Sequence, residues 1–290
     1  MLDKKIAFVG SGAMGEAMIS GLIRRGLARP DDLLACDPRA DHLEQLHQKY
    51  GVQVFTENKQ ATARADVVVL SVKPQRLTEV LKGLKSAIPA QALVLSIVAG
   101  ATISKISKGL AHPAVVRSMP NTPAQISQGI TVWFPSAAVS EAQRELARSI
   151  LSAFGAEVPV DDESYLDMAT ALSGTGPAYV FLFMEAMIDA GVHMGFSRRV
   201  SEQLVIETLK GSVAYYEMAN QKGDAHVAAL RNQVTSPGGT TAQALYYLEK
   251  AGFRTAISRA IWAAYQRSLE LGKEAPGHLP ETGPEGSVGQ

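Results

Sequence analysis

The sequence predicts an α/β domain of alternating strands and helices followed by an all-helical domain, and three observations carry that prediction. Short β-type runs recur through the first half, at residues 6–9, 33–36, 52–55, 67–72, 93–98 and 115–118, with helical patterns between them. That alternation is the mark of βαβ units and a mainly parallel sheet. After about Asp162 the character changes, because residues 165–191, 197–221 and 239–272 show long helical periodicity with scarcely a strand signal. Finally, Gly10-Ser11-Gly12-Ala13-Met14-Gly15 follows the first β-run directly and opens a helical pattern.

The first-half helices are read at 16–25 and 42–49, and Gly26 suits a helix C-cap. Two further apolar runs, 130–134 and 157–160, extend the sheet. The boundaries that follow are 1–162 for the α/β domain and 163–275 for the helical one. From Pro276 the chain holds Pro, Gly, Glu and Ser with almost nothing to bury, so 276–290 is expected to be a disordered tail. Met184, Met187 and Met194 lie among Ala and Gly at helical spacing, which suits close helix packing or subunit contact.

Composition narrows the function. The chain has 290 residues, 46% of them hydrophobic, enough to build its core without disulfides or metal staples. Lys plus Arg and Asp plus Glu are 28 each, so no net field draws it to nucleic acid or to an anionic membrane. A single cysteine, Cys36, excludes an intrachain disulfide framework and suits a reducing cytoplasm. The N-terminal apolar run is too short for a signal peptide, and the longest weakly polar stretch, 92–101, is too short to cross a bilayer. The six histidines, at 42, 47, 112, 193, 226 and 278, lack ligand spacing and lie outside the candidate loops, so no metal site is expected.

The G-x-G-x-x-G run has the context its chemistry requires, strand before and helix after. Gly10 permits a tight turn, Gly12 lets backbone amides approach a pyrophosphate, and Gly15 lets helix and strand pack closely. The helix start then offers N–H donors and a favourable dipole. Ser11, Ala13 and Met14 complete this cofactor-binding turn. The second strand ends at Cys36-Asp37-Pro38-Arg39, where the adenosine ribose of a dinucleotide is expected. Asp37 suits an unmodified ribose diol and Arg39 a 2′-phosphate, so the residues leave NADH and NADPH both open. Cys36 reads as a small buried hydrophobe.

Two more loops leave the carboxyl ends of strands. Ser71-Val72-Lys73-Pro74-Gln75 follows the fourth, with Pro74 as the first helical residue. Lys73 there suits a phosphate contact better than acid catalysis. Arg117-Ser118-Met119-Pro120-Asn121-Thr122-Pro123 follows the sixth, a proline-stiffened loop suited to a nicotinamide amide or a substrate. In the helical half, Ser236-Pro237-Gly238-Gly239-Thr240-Thr241 precedes an apolar-periodic segment. Such a helix start either binds a carboxylate or merely caps its helix.

Together, Phe-Val-Gly-Ser-Gly-Ala-Met-Gly at 8–15, Val-Lys-Pro-Gln at 72–75, Arg-Ser-Met-Pro-Asn-Thr-Pro at 117–123, Ala-Leu-Ser-Gly-Thr-Gly-Pro-Ala-Tyr at 171–179 and Val-Thr-Ser-Pro-Gly-Gly-Thr-Thr at 234–241 closely resemble the pyrroline-5-carboxylate reductases. The first motif is generic and the last two are specific to the family. The resemblance implies an α/β Rossmann-type N-terminal domain followed by an all-α dimerisation domain. It also implies reduction of Δ1-pyrroline-5-carboxylate to L-proline by NADPH or NADH, and a homodimer, with rings of dimers usual in the family.

Carried over by position, the resemblance places Asn58 at the adenosine side of the cofactor and Val72, Lys73 and Pro74 at its diphosphate and ribose region. Met119, Pro120, Asn121 and Thr122 fall at the nicotinamide. Ser236, Gly239, Thr240 and Thr241 would hold the substrate carboxylate, with Thr241 the proton donor. In the family the substrate pocket lies at the dimer interface. Asp37 departs from members whose second strand ends in small polar residues suited to a 2′-phosphate.

The strongest enzyme rival, a β-hydroxyacid dehydrogenase, shares the two-domain layout but needs a lysine where Val180 stands and an asparagine where Met184 stands. A dehydrogenase lacking its base is disfavoured. A dinucleotide sensor without turnover is the non-enzymatic rival, and the convergent hydroxyls of the Ser236 to Thr241 turn argue against it.

Overall fold

In the computed structural model, which describes residues 1–223 and 225–273, the β-type runs form one eight-stranded sheet. The strands are β1 (Ile6–Val9), β2 (Leu33–Cys36), β3 (Gln53–Phe55), β4 (Val67–Leu70), β5 (Leu93–Ser96), β6 (Val115–Met119), β7 (Gly129–Pro135) and β8 (Gly155–Pro159), in the order β3-β2-β1-β4-β5-β6-β7-β8. Every pairing is parallel except β6 with β7. Every residue of β1, β2, β4 and β5 is buried. That is why these strands read as unbroken apolar runs, since helices cover both faces. β7 instead alternates buried and half-buried residues, as a strand with one covered face must.

Helices α1 (Ala13–Arg24), α2 (Ala40–Tyr50), α3 (Asn58–Thr62), α4 (Pro74–Leu84), α5 (Ile103–Leu110) and α6 (Glu141–Leu151) connect these strands. Met18, Ile19 and Leu22 of α1 join Leu151 of α6 against Phe8, Val69 and Leu95. On the other face Leu77 and Leu81 of α4 and Ile106 of α5 pack against Val9, Val68 and Val94. The end of α1 follows its sequence. Gly26 takes φ +63, and its N–H and that of Leu27 bond to the carbonyls of Ile23 and Leu22, closing a Schellman cap.

Beyond β8 run α7 (Tyr165–Ala169), a π-helical turn (Thr170–Gly174), α8 (Gly176–His193), α9 (Arg198–Ala219), α10 (Val227–Gln233), α11 (Thr240–Lys250) and α12 (Phe253–Lys273). Two expected helices are interrupted. The first, at 165–191, carries the π turn, and the second, at 239–272, is cut at Ala251 and Gly252, where Gly252 takes φ +75. Periodicity alone passes over both breaks, because a one-residue change of phase hardly disturbs an apolar pattern. The expected tail at 276–290 lies outside the described residues.

The chain divides into two compact units, Met1–Gly174 together with the described residues from Ala264 on, and Thr175–Ala263. Within the second unit, Gly191, Ser201 and Val205 alone among the described residues are buried. Its α8 and α9 pack closely at one point, where a Cβ added to Gly191 would stand 2.6 Å from Ser201 Oγ. Phe181, Leu182, Tyr247 and Trp262 are all more than 60% exposed. The stretch Tyr165–His193 is long and apolar enough by length and composition to cross a membrane, and only 6% of its most apolar window is buried. This corrects the expectation that 92–101 is the longest such stretch. The charges at Asp167, Glu185 and Asp189 had masked the stretch in the sequence.

Candidate dinucleotide site

The strand order reverses between β1 and β4, so a crevice opens at the carboxyl ends of these two strands. The glycine turn stands there, and each of its glycines has a separate physical reason. Gly10 takes φ +87, and a Cβ on it would lie 2.8 Å from the Ser71 carbonyl oxygen. A Cβ on Gly15 would lie 2.6 Å from the Gly10 carbonyl oxygen, so α1 leaves the turn at a distance only glycine permits. Gly12 is different, because a Cβ there would meet nothing within 4 Å. It is the N-cap of α1, no side chain caps that helix, and the first N–H groups of α1 are left for a ligand.

A cavity of about 750 Å³ opens in front of this turn. It brings together Gly10, Gly12, Asp37, Arg39, Asn58, Val72 and Lys73, which the sequence had singled out from four separate segments. The flanking residues play other parts. Ser11 is fully buried and its hydroxyl donates to the Cys36 carbonyl at 3.2 Å, leaving only its backbone for a ligand. Ala13, Met14, Gly15 and Pro74 belong to the adjoining helix starts and do not line the cavity. Cys36 does line it, but burial, with the Asp37 charge beside it, pushes its thiol up to about 12. It stays an uncharged thiol at neutral pH.

Asp37 and Arg39, which the sequence left in conflict, are each other's partner. The Arg39 guanidinium donates from Nε to Asp37 Oδ1 at 2.8 Å and from Nη2 to Oδ2 at 3.1 Å, and the Arg39 backbone N–H also donates to Oδ1. Burial pushes the Asp37 carboxyl upward, but these bonds outweigh it and hold the group below the usual carboxylate range. The other acidic group near the turn is likewise engaged. Glu16 of α1 accepts from Lys49 Nζ and Tyr50 Oη, each at 2.9 Å, and Lys49 holds it ionised below its ordinary value.

Several residues here escaped the sequence reading. His42 of α2 places Nε2 2.7 Å from the Ser11 carbonyl oxygen; the acceptor is a carbonyl, so this nitrogen carries the proton and braces the turn. Ser71 Oγ donates to the Gly10 carbonyl at 2.5 Å and braces it from the other side. Lys59 and Arg76 also line the cavity. Arg76 pairs with Glu79 and Arg39 with Asp37, so among the described residues Lys59 and Lys73 are the cavity cations with no carboxylate on them. Lys59 directly follows Asn58, and that adjacency is the one signal that would have found it.

The loop after β6 is held from within. Asn121 Oδ1 accepts the Ile130 N–H at 2.9 Å, fixing the turn into β7 and leaving only its amide N–H₂ for another partner. Met119 packs against the π turn, because a Cβ on Gly174 would stand 2.9 Å from its Cε. Pro120 is buried, Thr122 opens a short 3₁₀ turn, and none of Met119, Pro120, Asn121 and Thr122 lines the cavity described above. Among the described residues no three His, Cys, Asp or Glu side chains cluster as metal ligands do.

In the helical unit, Gly238 takes φ +68 and Gly239 is the N-cap of α11. A Cβ on Gly239 would stand 2.5 Å from Ser236 Oγ, so the turn curls its serine hydroxyl over the helix start. No side chain caps α11, so Thr240 and Thr241 are not spent on capping. Thr241 is half-buried, and Ser236 and Thr240 are exposed.

An open parallel sheet, a strand-order reversal beside a G-x-G-x-x-G turn and a cavity carrying two uncommitted cations define a dinucleotide-binding protein of the doubly wound α/β class. Residues 5–100 match the model of the NADP oxidoreductase coenzyme F420-dependent family, and 163–271 match that of pyrroline-5-carboxylate reductase dimerisation. The chain is 40% identical over 275 residues to the pyrroline-5-carboxylate reductase of Pseudomonas aeruginosa, covering 94% of this chain and 99% of that one. It is 35% identical over 273 residues to that of Escherichia coli, with 94% and 100% covered. The crystal structure of Plasmodium falciparum pyrroline carboxylate reductase with NADP bound superposes with a TM-score of 0.85 at 32% identity, covering 94% of this chain and 99% of that one. The chain belongs to the pyrroline-5-carboxylate reductase family.

Proposed function

We propose that this protein reduces Δ1-pyrroline-5-carboxylate to L-proline with NADPH or NADH, the last step of proline biosynthesis. The observation that carries the reading is similarity along nearly the whole chain to reductases of that name, at 35–40% identity, with the glycine cradle intact. The open space before Gly12 and the free N–H groups of α1 fit a pyrophosphate, and Lys59 and Lys73 supply positive charge for it or for a 2′-phosphate. When bound, the reduced nicotinamide supplies the hydride that converts the C=N bond to C–N.

The residues' tasks are positioning and one proton transfer. Gly10 to Gly15, with Val72 to Pro74, hold the diphosphate through backbone groups and the Lys73 charge. Asp37, Arg39 and Asn58 meet the adenosine ribose, and Met119 to Thr122 the nicotinamide. Ser236, Gly239, Thr240 and Thr241 hold the substrate carboxylate, and the Thr241 hydroxyl gives its proton to the ring nitrogen. In this reading residues 1–162 bind the dinucleotide and 163–275 carry the substrate turn and self-association.

A second copy of the chain covers the helical unit. A unit with three buried residues cannot offset the entropy of ordering its own helices, and a helix apolar all round, as α8 is, must be covered. The dimerisation model matches this region, so the apolar Tyr165–His193 surface is assigned to the partner and not to a bilayer. We place the protein in the cytoplasm, where its one cysteine, buried and uncharged, stays reduced.

The deciding assay mixes the purified protein with pyrroline-5-carboxylate and follows NADPH, then NADH, by absorbance, with proline identified in the product. Steady turnover is expected, and no turnover with either cofactor in folded, oligomeric protein would overturn the reading. Asp37→Ser should raise the NADPH-to-NADH ratio of kcat/KM about tenfold, a change of about 1.4 kcal/mol, because it removes a carboxylate that repels a 2′-phosphate and releases Arg39 to bind one. An unchanged ratio would remove Asp37 from cofactor selection.

A further inference from the structure

We propose that Arg117 is a positioning residue for hydride transfer: its buried fork onto two carboxylates sets where the loop Met119 to Thr122 stands. This rests on the reading of that loop as the nicotinamide side of the site.

Arg117 lies near the end of β6 with its side chain 4% exposed. Its Nη1 donates to Glu163 Oε1 and its Nη2 to Asp167 Oδ1, each at 3.1 Å. Both acceptors are shared with other segments. Glu163 Oε1 also takes the Ile103 N–H at the start of α5, at 2.8 Å, and Asp167 Oδ1 also takes the Ser268 hydroxyl of α12, at 2.8 Å. Four separate segments of one compact unit thus converge on one guanidinium.

Such a group is a poor choice for stability alone. Burying a cation and two carboxylates carries a desolvation cost that an apolar cluster of the same volume avoids. What the planar fork supplies is direction, since its N–H bonds fix both carboxylates relative to the strand. The direction points at the reaction. Arg117 and Met119 are two residues apart on β6 and share a face. Asp167 belongs to α7, which runs into the π turn Thr170–Gly174, and Gly174 is the residue that Met119 Cε packs against. The circuit from Arg117 through Asp167, α7 and the π turn closes on Met119, the first residue of the loop. A helix of regular pitch would carry Gly174 elsewhere, which gives the π turn a geometric reason.

The test is Arg117→Lys, which keeps the charge but cannot span both carboxylates. The expected kcat for pyrroline-5-carboxylate reduction falls about tenfold to a hundredfold, the scale of a misplacement near 1 Å. The KM for the dinucleotide should hold within about threefold, because its diphosphate and adenosine are anchored elsewhere. The primary deuterium isotope effect on kcat, measured with cofactor deuterated at nicotinamide C4, should rise as hydride transfer becomes slower than release. A merely structural role would lower the active fraction and leave the isotope effect alone. Ser268→Ala, which removes one bond to Asp167, should show the same pattern more weakly, and it decides the matter if the lysine variant does not fold. Wild-type kcat and isotope effect in the folded variants would overturn the inference and leave the proposed function standing. Absence of wild-type turnover would overturn both.

Discussion

Gly12→Val is expected to weaken NADPH binding at least about a hundredfold while the protein keeps its fold. The backbone at Gly12 has φ −69 and ψ −167, an extended conformation open to any residue, and an added Cβ meets nothing within 4 Å. The folding cost is therefore limited to a poorer helix N-cap, about 1 kcal/mol. The side chain would instead fill the space where α1 presents its first N–H groups. Losing two charge-assisted bonds to a pyrophosphate, at about 1.5 kcal/mol each, gives about 3 kcal/mol. Fluorescence titration with NADPH beside a thermal melt separates the two effects. Gly15→Ala should behave differently, losing stability and binding together, because its Cβ would sit 2.6 Å from a backbone carbonyl that cannot yield. Gly12→Val protein that binds NADPH within threefold of wild type would show that this turn is not the pyrophosphate site.

Thr241→Ala is expected to lower kcat at least tenfold, toward the factor of about 10²–10⁴ that general-acid catalysis contributes. The hydroxyl sits in the first turn of α11, where Gly239 serves as N-cap and no side chain is drawn into capping. Its removal therefore takes away a proton donor without unbalancing the helix. Thr241→Ser, which keeps the hydroxyl, should recover most of the rate, and this rescue distinguishes proton donation from packing of the methyl group. A Thr241→Ala enzyme with unchanged kcat would transfer the proton to a water or to the hydroxyl of Ser236 or Thr240.

Much of the first unit was legible before any coordinates. Residues 6–9 and 33–36 come out as strands with the bounds read from the sequence, because a strand buried on both faces must be apolar throughout and such runs are short and conspicuous. Gly26 and Pro74 stand at the helix end and helix start that their backbone chemistry prefers. The residues the sequence missed form their bonds across long stretches of chain. His42 reaches Ser11 over 31 residues, and Ser268 reaches Asp167 over 101. Such a pair has no period and no local motif, so nothing in either neighbourhood announces it.

The sequence by itself determined the fold class, the glycine turn and the segments that line the cofactor cavity, since these depend on periodicity and on backbone conformations that few residues allow. The tertiary structure decided what the charged side chains do. Asp37 and Arg39 could be read as rival ribose and phosphate contacts until they proved to be one ion pair, and Arg117 stood in a motif without a task until Glu163 and Asp167 closed around it. Apolar burial follows from composition averaged along a segment, whereas a hydrogen bond depends on the distance between two particular atoms, and only the folded chain fixes that.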